Sequence, residues 1–138
     1  MLKTLRSAAI CAVIMAGAAQ AQSFSRQNFD IPVYPLSDRT FEVIENDGAG
    51  GGQMWCAAAK YAREVLGQGR GNLYLARARG PSQSVSGRRG VIFSLDPVPQ
   101  SFSSVSLSVR RAGQTASIGL ANAVCPRGAS RLRISVGG

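Results

Sequence analysis

Gly48-Ala49-Gly50-Gly51-Gly52-Gln53-Met54-Trp55-Cys56-Ala57-Ala58-Ala59-Lys60-Tyr61-Ala62-Arg63-Glu64-Val65-Leu66 decides how the rest of the chain is read. Trp55, Ala58, Ala59, Ala62, Val65 and Leu66 recur at three- and four-residue steps and form one apolar stripe on a helix. Gln53, Lys60 and Glu64 fall on the other side. The alanines favour helix and let a sheet approach closely, and Gly67 supplies a C-terminal stop. The glycine run at the front raises the idea of a phosphate cradle, since free amides at a helix start attract anions. Neither Gly-Lys-Ser/Thr nor G-x-G-x-x-G spacing follows, so a plain strand-to-helix connection is the simpler reading.

Outward from this helix the chain alternates. Thr40–Glu45 reads as a strand, turned by Asn46-Asp47-Gly48. After the helix, 72–79, 90–96 and 104–111 each alternate. In the first, Leu73, Leu75, Arg77 and Arg79 share one side. In the last, Val105, Leu107 and Val109 alternate with serines, the cleanest strand pattern in the chain. A turn at Ala112-Gly113-Gln114 leads to Ala116, Ile118 and Leu120 on a returning strand, and 132–136 adds an edge strand. The expected fold is α+β: one helix on a small, mainly antiparallel sheet of about four to six strands.

The first 21 residues have the three parts of a secretory signal: Lys3 and Arg6, an apolar run over 8–19, and Ala19-Gln20-Ala21 before the cut. Export to the periplasm or beyond is therefore expected. Cleavage leaves 117 of the 138 residues, and the 16 basic residues fall to 14 against 7 acidic ones. Residues 22–40 read as an extended N-terminal arm, with Pro32 and Pro35 against helix, and 41–138 as a single domain.

Cys56 and Cys125 survive cleavage. Two cysteines in an exported chain pair as a structural disulfide. The loop of roughly seventy residues makes such a bridge worth roughly 4 kcal/mol by chain entropy. The competing reading makes Cys56 a nucleophile at a helix start, but a thiol enzyme needs a histidine to take the proton and this chain has none.

Neighbouring antiparallel strands at 72–79, 90–96 and 104–111 would gather Arg77, Arg79, Arg88, Arg89, Arg110 and Arg111 at one end of the sheet. Arginine forks suit phosphate and carboxylate, so an anionic polymer, a lipid headgroup or an acidic protein is the expected kind of partner. Aromatics do not interleave with this set, and a nucleic-acid platform is unsupported. The plainer reading is that arginines flank strands and keep edges soluble. Glu42, Glu45 and Asp47 cluster before the helix; a solvated strand end explains them better than a carboxylate pair or calcium loop. No cofactor or metal site is expected. The function expected is a small non-enzymatic exported protein binding an anion through its arginine pole. The alternatives are an accessory domain with incidental charge, or an enzyme using Cys56 or Glu45/Asp47.

The leader, the Phe41-Glu42-Val43-Ile44 strand, the glycine-rich turn, Trp55-Cys56-Ala57-Ala58-Ala59 and the late Cys125-Pro126 together resemble short uncharacterised exported proteins of proteobacteria. The resemblance spans Phe41 to Pro126. It supports the disulfide and implies no activity.

Overall fold

The computed structural model describes residues 28–127 and 131–138; the leader and residues 22–27 of the arm lie outside the described residues. Among the described residues seven strands form one sheet in the order β5-β6-β3-β4-β2-β1-β7. They are β1 (Asn28–Pro35), β2 (Thr40–Ile44), β3 (Asn72–Pro81), β4 (Arg89–Ser94), β5 (Phe102–Ser103), β6 (Gln114–Ser117) and β7 (Arg131–Val136). Helix α1 (Gly51–Lys60) continues as a π-helical turn over Tyr61–Val65, and a short helix α2 (Ile118–Ala123) follows β6. The α+β class holds. The sheet is larger than expected and mixed: β1 pairs with β7 in parallel, as does β5 with β6, and the other pairings are antiparallel.

The helix forms where the apolar stripe placed it and stops where expected. Gly67 takes a left-handed φ of 66°, and the Gln68 amide closes onto the Ala62 carbonyl. Its entry is a tight turn in which Asp47 (φ 53°) and Gly48 (φ 72°) are both left-handed and the Ala49 amide donates to the Asn46 carbonyl. Met54 through Ala59 are all buried, not one stripe alone. The sheet covers one side through Phe41, Val43, Leu75, Val91 and Phe93, and α2 brings Ile118 and Ala121 into the same core. Small side chains are what allow α1 to be packed from two directions. Trp55 stands edge-on to Phe93 with ring centroids 4.9 Å apart. Cys56 and Cys125 are bonded, their Cα atoms 4.9 Å apart, and tie α1 to the chain just after α2.

Two expectations are corrected. Residues 104–111 are not a strand. Gln114, 1% exposed, accepts from the Ser108 amide and hydroxyl through Oε1 (both 3.2 Å) and donates through Nε2 to the Ser106 carbonyl at 2.8 Å. Trp55 Nε1 donates to the Ser108 carbonyl at 2.8 Å. Side chains thus take the main-chain groups that a neighbouring strand would have bonded, and Val105 is left 94% exposed. The presumed hairpin partner is also shorter than expected. β6 ends at Ser117, whose hydroxyl caps α2 by accepting from the Leu120 amide, so Ile118 and Leu120 belong to a helix. Residues 28–35, read as part of an arm, are extended as expected but lie inside the sheet between β2 and β7.

Candidate functional site: the arginine end of the sheet

β3 and β4 are antiparallel neighbours as expected, but β3 carries two register shifts, between Leu75 and Arg77 and between Arg77 and Gly80. Each shift changes which face the following residues meet. Leu73 and Leu75 point into the core, whereas Arg77 reaches Glu42 on the opposite face. Arg79 returns to the helix side, where its guanidinium lies 3.4 Å from the Ala49 carbonyl and 3.6 Å from Met54 Sδ. The four residues expected on one side are thereby divided between two.

Glu42 is not at a solvated strand end: it is 0% exposed. Its carboxylate receives Arg77 Nη2 at 2.8 Å, the Ser82 hydroxyl at 3.0 Å, the Gln83 amide at 3.1 Å and the Ser84 amide at 2.9 Å. Gly90 makes room for it, because a Cβ there would stand 2.9 Å from Glu42 Oε1 and 3.1 Å from the Val43 carbonyl. Burial alone would raise the carboxyl's pKa. The hydrogen bonds from Ser84, Gln83 and Ser82 outweigh it and hold the group below its ordinary value. Glu42 is therefore a charged anchor that fastens the 82–85 turn to the sheet.

The remaining acids are engaged one by one. Glu45 Oε2 lies 3.3 Å from Arg79 Nε, and Asp47 Oδ2 accepts from the Asp30 amide at 3.1 Å. Arg88 braces the connection into α1, donating to the Glu45 carbonyl at 2.8 Å and to Asn46 Oδ1 at 2.7 Å. Arg111 stacks on Phe102 with its guanidinium carbon 3.9 Å from the ring centre. Arg89 and Arg110 are exposed.

The six arginines thus divide by role. Arg77 and Arg88 serve the scaffold, Arg111 lies over an aromatic ring and Arg89 is exposed outside the groove lining, while Arg79 and Arg110 meet at an open groove of about 530 Å³. The Arg79 amide donates to the Val109 carbonyl at 2.8 Å, which places Arg110 beside it. Gly50, Gly51, Ser106, Leu107, Ser108 and Val109 complete the lining. The groove opens at the start of α1. Gly50 is the N-cap, its amide donates to Gln53 Oε1 at 3.0 Å, and the first turn has no acidic residue to offset the helix dipole. The Gly51 and Gly52 amides precede the first intrahelical bond, from the Met54 amide to the Gly50 carbonyl. An added Cβ at Gly52 would meet nothing within 4 Å, so packing does not demand glycine there.

The glycine run suggests an anion cradle from sequence alone, without a phosphate-binding motif to support it. In the sequence Ser106 and Ser108 simply alternate with Val105, Leu107 and Val109 and read as part of a strand. The clue was their position between two arginine-bearing segments. A second groove, about 360 Å³, is lined by Ser103, Val105, Thr115 and Leu120 among others, none of them charged.

Cys56 is spent in the bridge and fully buried, which removes it as a thiol nucleophile. Among the described residues no group of three or more His, Cys, Asp or Glu is arranged to hold a metal, and no helix is long and apolar enough to cross a membrane. No family model matches the chain, and neither curated proteins nor solved structures give a match.

Proposed function

We propose that this is an exported, non-enzymatic binding protein that holds an anionic group in the Arg79–Arg110 groove. The observation that carries the reading is convergence. Arg110 and Ser106, both exposed, face one open groove together with the unoffset positive end of α1 and with Arg79, whose Nε lies 3.3 Å from Glu45, while the Ser108 hydroxyl in the same lining is donated to Gln114. Guanidinium forks, hydroxyls and helix-start amides all stabilise phosphate or carboxylate oxygens. The disulfide fits an oxidising compartment, periplasmic or extracellular. The partner proposed is an anionic polymer, lipid headgroup or acidic protein surface, with no cofactor.

A second reading, an accessory domain with incidental charge, draws support from Arg77 and Arg88, whose hydrogen bonds are internal. Retention on a sulfated polysaccharide matrix separates the two. Arg110→Glu, in the groove, is compared with Arg70→Glu, an exposed residue beyond the far end of α1. Both change net charge equally. The groove variant is expected to elute at clearly lower salt. Equal losses leave net charge alone and favour the accessory reading.

A further inference from the structure

The two edges of the sheet are built differently. β5 is two residues long and follows Pro97 and Pro99. Short strands and prolines deny a neighbour a template. β7, at the other edge, is six residues long, contains no proline, and keeps an unshifted register with β1 from Arg131 opposite Asn28 to Val136 opposite Val33. Among the described residues no strand pairs with its outer side.

The side chains of β7 form two rows. Leu132 (7% exposed), half-buried Ile134 and Val136 (51% exposed) make an apolar row that emerges progressively from the core. Arg131, Arg133 and Ser135 make an exposed polar row. Among the described ion pairs neither arginine has a carboxylate partner. Asp30 stands opposite Arg133 in the register, yet its own hydrogen bonds are main-chain: its amide to Asp47 at 3.1 Å and its carbonyl from Asn46 at 2.7 Å.

We propose that the outer edge of β7 docks an extended segment of another protein in which acidic and apolar residues alternate, adding it to the sheet as a further strand. Main-chain groups along β7 supply the hydrogen bonds, and the two rows supply the selectivity. Acidic residues sit beside Arg131 and Arg133, and apolar ones cover Ile134 and Val136. The same arginines discourage a second copy, which would set basic row beside basic row in a chain of formal net charge +9. Strands β4, β2 and β1 separate β7 from β3, so this surface stands apart from the arginine groove.

The test uses the disulfide-bonded, isotope-labelled protein titrated with a short peptide alternating valine and glutamate, and with its valine–lysine counterpart. The glutamate peptide is expected to slow amide exchange along 131–136 and to bind about tenfold more tightly than the lysine peptide. Combining Arg131→Glu with Arg133→Glu is expected to reverse that preference while the disulfide still forms. If the double variant does not fold, Arg133→Ser alone must weaken binding of the glutamate peptide. Failure of the glutamate peptide to bind, equal binding of both, a preference unchanged in the variants, or protection mapping to Arg110 instead of β7 would each overturn the proposal. So would self-association of the unliganded protein through β7.

Discussion

Removing the Glu42 carboxylate should be the most damaging single polar substitution in the described chain. Glu42→Ala strips four donors of their acceptor at once: Arg77 Nη2, the Ser82 hydroxyl and the amides of Gln83 and Ser84. Breaking a buried charge pair from one side costs about 3–5 kcal/mol. The Arg77 side chain is 37% exposed and Gln83 is exposed, so water recovers part of that. We expect a loss of about 3 kcal/mol. Glu42→Gln keeps the shape and one acceptor oxygen, and should cost about 1–2 kcal/mol. The assay is urea unfolding of the disulfide-bonded protein at neutral pH, with hydrogen exchange following the 82–85 turn. The pH dependence has a fixed sign. Because the folded pKa lies below the ordinary value of 4.5, the carboxylate's contribution is fully present above that value and is lost as pH falls through the folded pKa. The gap between wild type and Glu42→Gln should therefore narrow in acid. A cost for Glu42→Ala within about 0.5 kcal/mol, as for an ordinary surface change, or a gap that does not change with pH, would refute the anchoring role.

Opening the Cys56–Cys125 bridge, which joins positions 69 residues apart, should destabilise the domain by roughly 4 kcal/mol, read as the shift in urea midpoint of a Cys56→Ser/Cys125→Ser variant. Gly90→Ala should cost about 1–3 kcal/mol, because the new methyl must displace Glu42 Oε1 or the Val43 carbonyl; thermal unfolding reads it directly. Gln114→Ala should cost about 2 kcal/mol and open 104–108 to proteases well before global unfolding, since it removes three of the bonds that hold that segment.

Much of this architecture could be read from local pattern. The apolar spacing of 55–66, the Asn-Asp-Gly turn and the Gly67 stop each depend on a few adjacent residues, and each appears where expected except that Val65, in the π-helical turn, is 46% exposed. The disulfide followed from compartment and count. What escaped was tertiary. Residues 104–109 alternate like a strand, but whether a strand forms depends on which groups answer its main chain, and here Gln114 and Trp55 do so. Nothing local in Leu73–Arg79 announces the two register shifts that send Arg77 and Arg79 to opposite faces. Without those shifts Glu42 could not be seen as buried, since its counter-ion was counted among the free arginines. The groove was half legible. Its arginines and glycines stand out in the sequence, but Ser106 and Ser108 alternate like strand residues in a segment that forms no strand.

The anion-binding groove is tested most directly by an amide-shift titration of the labelled, disulfide-bonded protein with inorganic pyrophosphate. Shifts should concentrate at Gly51, Gly52, Arg79, Ser108 and Arg110, weaken with added salt and disappear in Arg110→Glu. Shifts spread over exposed arginines such as Arg63 and Arg70, or no saturable shift at all, would contradict the account.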